Sequence, residues 1–261
     1  MRKMIQKIVM IGAGNLATQL SLALHEHGIE ILQVYSRTAE SAKELAGKLD
    51  CPFTTSVRKI EKNADLYVFA VSDRALQEIL DKWSVPIGNS VHTAGSIPAD
   101  IFENYAENYG VFYPLQTFSK ERKVDFSDIP VCLESDNFKL RTDLIELAGQ
   151  ISKSVHLINS EQRKQLHLAA VFTCNFTNHM YSIGQKLLAE KNVDYELLKP
   201  LILETAQKAL QLDPVSAQTG PAVRFDEEIM NSHEKALKDS PVFQKLYRFV
   251  SESIYKMHKG K

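Results

Sequence analysis

Gly12-Ala13-Gly14-Asn15-Leu16-Ala17 ends an apolar run, Ile8 to Ile11, and opens a stretch in which Leu16, Leu20 and Leu24 recur at helical spacing. Strand, glycine turn and helix in this order suit a phosphate-bearing ligand. Gly12 permits the tight turn, Gly14 leaves a pyrophosphate room beside the backbone, and small Ala17 lets helix and strand pack closely. The helix start, Asn15 and Leu16, then offers unpaired N–H groups and the positive end of a dipole. A second strand closes at Tyr35-Ser36-Arg37-Thr38. A site reading a free ribose 2′-hydroxyl carries Asp or Glu there, but Glu30 comes too early and Glu40 too late. Arg37 can pair bidentately with a 2′-phosphate while Ser36 and Thr38 donate hydroxyls, so NADP is expected over NAD. The plainer reading makes Arg37 a solvated loop residue.

Ligands of open α/β sheets sit beyond the carboxyl ends of the strands. The residues expected there are Val71-Ser72-Asp73, His92-Thr93-Ala94-Gly95-Ser96 and Tyr113-Pro114-Leu115-Gln116-Thr117. Val71 and Ser72 fall on the cofactor side, Ser96 and Gln116 on the substrate side. His92 titrates near neutrality and is the acid/base candidate, or else a hydrogen-bonded core histidine. Gln165 to Gly184 carries no charge and reads as a buried helix. At about 100° per residue, Leu166, Ala169, Phe172, Phe176, Met180, Ile183 and Leu187 share an apolar face. His167, Val171, Cys174, Asn175, Asn178 and Ser182 lie opposite. His167 is a substrate-binding candidate there, and Asn175 and Asn178 are catalytic candidates unless they only bond neighbouring helices. Arg224, beside the Gly220-Pro221 turn, could hold a substrate anion or pair with Asp226. His25-Glu26-His27 lacks the i, i+4 spacing of a helical metal site, and no metal is expected.

Strands and helices alternate through the first half, which predicts an α/β fold with a mostly parallel sheet covered on both faces. The last expected strand ends near Ile158, and from Asn159 on the spacing is helical throughout. Asn159 and Gln162 form a capping box opening a helix that could reach Lys191. The expected domains are therefore residues 1–158, binding the nucleotide, and 159–261, all-helical. The chain has 261 residues, with 31 basic and 32 acidic side chains and a formal charge of −1. No global field draws it to nucleic acid or an anionic membrane. The basic N-terminal stretch lacks an apolar signal segment, and Gln165 to Gly184 is too polar to span a bilayer. Three cysteines without paired spacing fit a reducing, cytoplasmic setting.

Together GAGNLA, SRT, AVSD, HTAGS, YPLQTFS, HLAAVFTCNFTNH and TGPAVRFD resemble a bacterial family of Rossmann-like proteins with a helical C-terminal domain of unknown function. The likeness spans nearly the whole chain. More remotely the chain is similar to pyrroline-5-carboxylate reductase, the deazaflavin-dependent NADP oxidoreductases and the β-hydroxyacid dehydrogenases. The resemblance implies a Rossmann domain holding NADP through Gly12, Gly14, Asn15, Leu16, Ser36, Arg37 and Thr38, and a homodimer joined by the C-terminal helices. The hydroxyacid dehydrogenases place a lysine one turn before an asparagine of the long helix; here those positions are Val171 and Cys174, so their mechanism does not transfer.

The expected activity is hydride transfer between NADP(H) and a small C=O or C=N substrate bound between the domains. A reading from another class is a non-catalytic NADP-binding sensor or scaffold, which the missing lysine favours. A third, an imino-acid reductase, is a special case of the first.

Overall fold

The computed structural model describes residues 4–83 and 86–259; the first three residues of the basic N-terminal stretch lie outside them. Strand β1 (Lys7–Ile11) lies inside the sheet, parallel to β2 (Glu30–Tyr35) on one side and β4 (Leu66–Phe69) on the other. Successive side chains of a strand point to opposite faces. Ile8 and Met10 accordingly join a core with Leu20 and Leu24 of α1 (Asn15–Glu26), Leu45 of α2 (Ala39–Leu49) and Leu144 of α4 (Phe138–Ile151). Val9 and Ile11 join another with Phe69, Phe102, and Leu76 of α3 (Asp73–Leu80). Both faces are thus covered, and the strand reads as an unbroken apolar run.

The eight strands are ordered β3-β2-β1-β4-β5-β6-β7-β8, with β3 at Phe53–Thr54, β5 at Ile87–His92, β6 at Ala106–Pro114, β7 at Val131–Glu134 and β8 at Val155–Leu157. All described neighbours run parallel except β6 and β7. The α/β class is as the sequence predicts. Two residues of β3 are too few to show a period, so this edge strand is a finding of the structure. β6 reaches back to Ala106, because Ala106 and Asn108 pair with Ile87 and Asn89.

The chain forms two compact units that meet in sequence at Cys174 and Asn175. That lies beyond residue 158, where strands give way to helices, because α5 (Ser160–Ala170) packs on the sheet unit through Arg163 and His167. The capping box forms: Asn159 accepts from Gln162 N at 2.9 Å and Gln162 Oε1 accepts from Asn159 N at 3.0 Å. After α5 comes a π-helical segment, Val171–Phe176, then α6 (Thr177–Ala189). A π-helix closes i→i+5 rings and takes more residues per turn than the α-helix. The uniform 100° wheel therefore fails at Val171, and the face carrying His167 does not continue unchanged to Asn175 and Asn178. This stretch is also not buried within the chain: Phe172 is 61 % exposed and Phe176 47 %.

The second unit continues with α7 (Lys199–Gln211), whose first turn holds Pro200, then α8 (Pro214–Ala217), α9 (Pro221–Arg224), α10 (Glu227–Ala236) and α11 (Pro241–Lys259). Phe225 stacks on Tyr255 with ring centroids 4.5 Å apart. Ile183, Leu187, Leu246 and Val250 line an apolar cavity of about 330 Å³ in this unit.

Candidate functional site

Gly12 has φ +127°, a backbone that L side chains rarely adopt, and its N–H donates to Tyr35 O at 2.8 Å. A Cβ here would lie 2.1 Å from Ala70 O. Position 12 is thereby clamped between the ends of β2 and β4 and admits only glycine. Gly14 differs: its φ is an ordinary −81°, and a Cβ built on it meets no protein atom within 4 Å. Nothing among the described residues demands a glycine at 14, whereas a pyrophosphate lying against the backbone would. Gly14 is the N-cap of α1 without a side-chain capping bond, and the first turn carries no acid. Helix geometry leaves the first N–H groups unpaired, so the helix start is free to meet an anion. These residues fit a dinucleotide phosphate.

Asn15 spends its side-chain amide on Phe118 O at 3.0 Å, leaving its backbone N–H at the helix start. Buried Gln19 bonds Ser119 O at 2.8 Å and accepts from Val124 N, pinning the segment after β6 along α1. Leu16 is half-buried against the core. Ser36 N donates to Thr54 O at 3.2 Å, so edge strand β3 braces the loop that carries Arg37. Arg37 is exposed, and Thr38 is the N-cap of α2 with no side-chain capping bond. Burial pushes the Tyr35 phenol up, with the Arg37 charge opposing. Val71 is half-buried beside Gly12, and exposed Ser72 is the N-cap of α3, also without a side-chain capping bond.

At the end of β5, His92 is fully buried. Its Nε2 lies 3.2 Å from Pro98 O and its Nδ1 accepts from Ala94 N at 3.1 Å. A carbonyl can only accept, so Nε2 carries the proton and both ring nitrogens are engaged. Burial, aided by the Arg163 charge, pushes the imidazole down to about 4. His92 is therefore a neutral group that shapes the turn after β5, and this geometry leaves it no free nitrogen for acid/base work.

The structure instead brings together residues from three elements. Tyr113 Oη, at the end of β6, lies 3.0 Å from His167 Nδ1 on α5. Gly95 makes room for this pair: a Cβ there would fall 2.5 Å from both Cγ and Nδ1 of His167. Ser96 Oγ donates to Asp73 Oδ2 at 2.5 Å, linking the ends of β4 and β5. Gln116, also exposed, accepts from Thr117 N at 2.8 Å. Burial raises the Tyr113 phenol, reinforced by Cys132 and opposed by Arg163.

Fully buried Arg163 fastens α5 to this edge through Glu134 of β7 and the Ile97 carbonyl, with Ser160 Oγ at 3.2 Å. Its Nε has no hydrogen-bond partner among the described residues. Sequence reasoning gives Arg163 and Glu134 no role, and it places Gly95 and Tyr113 at the ligand-facing strand ends without giving either a task of its own. The available signals were a glycine three residues after a strand-end histidine and an arginine four residues before another. Asn175, Asn178 and Arg224 belong to the second unit and are exposed. Asp226 uses its carboxylate to cap α10, accepting from Ile229 N at 3.3 Å.

Residues 7–91 match the family model described as NADP oxidoreductase, coenzyme F420-dependent, and residues 129–254 match a domain of unknown function, DUF2520. No curated protein matches the chain. Among solved structures, the chain is similar to a Bacteroides fragilis protein provisionally assigned as an NADP oxidoreductase, with 47 % identity, 97 % of this chain and 98 % of that one covered, and a TM-score of 0.91. A reductive aminase from Aspergillus terreus in complex with NADPH and ethyl levulinate shares the fold at 11 % identity, covering 97 % and 94 % of the two chains, with a TM-score of 0.74. A pyrroline-5-carboxylate reductase from Coxiella burnetii does so at 16 % identity, 99 % and 98 % coverage and a TM-score of 0.55.

Proposed function

The chain belongs to the family that joins an N-terminal NADP-oxidoreductase domain to a C-terminal DUF2520 domain, and on that premise we propose that it transfers hydride between NADP(H) and a small C=O or C=N compound. One observation carries the reading: at Gly14 a glycine stands where the protein itself leaves open space, at the uncapped start of α1. NADPH, when bound, supplies the hydride. The backbone of Gly12, Gly14, Asn15 and Leu16 receives the pyrophosphate. Ser36, Arg37 and Thr38 take the 2′-phosphate, Arg37 by a bidentate pair. Val71 and Ser72 flank the nicotinamide, and Ser96, Gln116 and His167 face the substrate.

Calorimetric titration tests the reading. NADPH should bind, and Arg37→Glu should weaken it roughly 10- to 100-fold, the worth of a charged hydrogen-bond pair, while changing NADH binding far less. Absence of binding heat with both nucleotides would overturn it.

We also infer a homodimer formed through the helical unit. Leu201, Leu210 and Phe249 of that unit are 61, 87 and 73 % exposed, and a second copy of the chain is the partner that would cover such a surface. The described residues contain no helix long and apolar enough to cross a membrane, and the three free cysteines fit a reducing cytoplasm.

A further inference from the structure

We propose that Tyr113 is the proton donor of this site and that His167 replaces the proton it gives up. The proposal rests on the dinucleotide reading above, and it concerns only residues of the sheet unit. Tyr113 closes β6 at the carboxyl edge of the sheet, next to the end of β5, on the edge where ligands of such sheets bind. Its Oη sits 3.0 Å from His167 Nδ1, and the rings meet edge to face at 6.2 Å and 74°. The residue keeps 9 % of its surface, so the ring is packed without being sealed.

Three features show that the pair is held in place. Gly95 leaves no space for a side chain beneath the imidazole, so the turn after β5 is shaped around this ring. Ser96, the next residue, is tied to Asp73 at the start of α3, which follows the strand ending beside the glycine turn. Arg163, one turn before His167, anchors α5 to Glu134 and Ile97. His92, the other histidine at this edge, has both nitrogens committed to backbone. Burial keeps the Tyr113 phenol protonated near neutral pH, the state a donor needs.

In the reductive direction the substrate carbon gains hydride, and the π pair of its C=O or C=N bond moves onto oxygen or nitrogen. The Tyr113 O–H bond then breaks as its proton goes to that atom. The proton on Nδ1 of the His167 imidazolium passes to the Tyr113 oxygen, restoring the phenol. The neutral imidazole left behind recovers one proton from water. Substrate is reduced by two electrons, the nicotinamide is oxidised by two, and one solvent proton is consumed.

The test uses the full chain with tyrosine ring and histidine nitrogens isotopically labelled, the Tyr113 and His167 signals being assigned by Tyr113→Phe and His167→Gln. Saturation with NADP+ should shift both signals, and Gly95→Ala should remove the hydrogen-bond signature between them. With NADPH and either cyclohexanone or pyrroline-5-carboxylate as probe, Tyr113→Phe should lower kcat at least about 100-fold, the usual worth of a placed acid, and His167→Gln about 10-fold. Both variants should keep the wild-type Kd for NADPH. Signals unmoved by bound NADP+, or turnover retained in Tyr113→Phe, overturn the assignment. Inertness of the wild type toward both probes defeats the substrate class and the donor with it. Failure of NADP+ to bind at all is the separate result that defeats the dinucleotide reading.

Discussion

A buried histidine that must stay neutral makes folding sensitive to acid. His92 titrates at about 4 in the folded chain against an ordinary 6.5. Between those values the unfolded chain binds more protons, so stability falls as pH drops through that window and the contribution is complete above it. A shift of this size is worth on the order of 3 kcal/mol. Urea midpoints of the wild type should fall between pH 7 and pH 4.5, and His92→Gln should flatten that fall; an equally steep fall in the variant would count against this account. Gly12 and Gly14 were legible from the sequence because their demands are local: a turn after a strand and room before a helix. The Tyr113–His167 pair spans 54 positions and was not. It exists because α5 packs back on the sheet edge, which no local pattern encodes.

Among the elements, α5 carries most of the site's architecture. The capping box at Asn159 fixes where it starts, and Arg163 fixes which way it faces. Removing one partner of a buried ion pair leaves the other uncompensated, which typically costs 3–5 kcal/mol. Glu134 keeps some solvent contact, 19 % of its side chain, so the lower end applies. Arg163→Leu should cost roughly 3 kcal/mol in thermal or urea unfolding, and adding Glu134→Leu should restore part of the loss; no recovery in the double variant would show that the pair is not the cause. The start of α5 was legible by its capping box, whereas the π-helical turn at Val171–Phe176 that ends it was not, since its residues have no composition that separates them from an α-helix. That turn resets every face assigned beyond it, including those of Asn175 and Asn178.

At the scale of the molecule, the proposed homodimer rests on the exposed leucines and phenylalanine of the helical unit, Leu201, Leu210 and Phe249 among them. Light scattering should give twice 29.5 kDa, and Leu201→Glu with Phe249→Glu should reduce it to one chain. A wild-type mass that stays monomeric across concentration would remove the dimer.

Periodicity, glycine placement and the capping box, all read within a few residues, determined the mostly parallel sheet, the nucleotide turn and the start of α5, because backbone sterics and apolar burial act over that range. Which strand-end residue faces which helix, that His92 lies inside while His167 meets Tyr113, and that the long helix changes its winding were decided by tertiary packing. Those contacts join residues far apart in the chain, and their strength depends on burial that only the folded sheet creates.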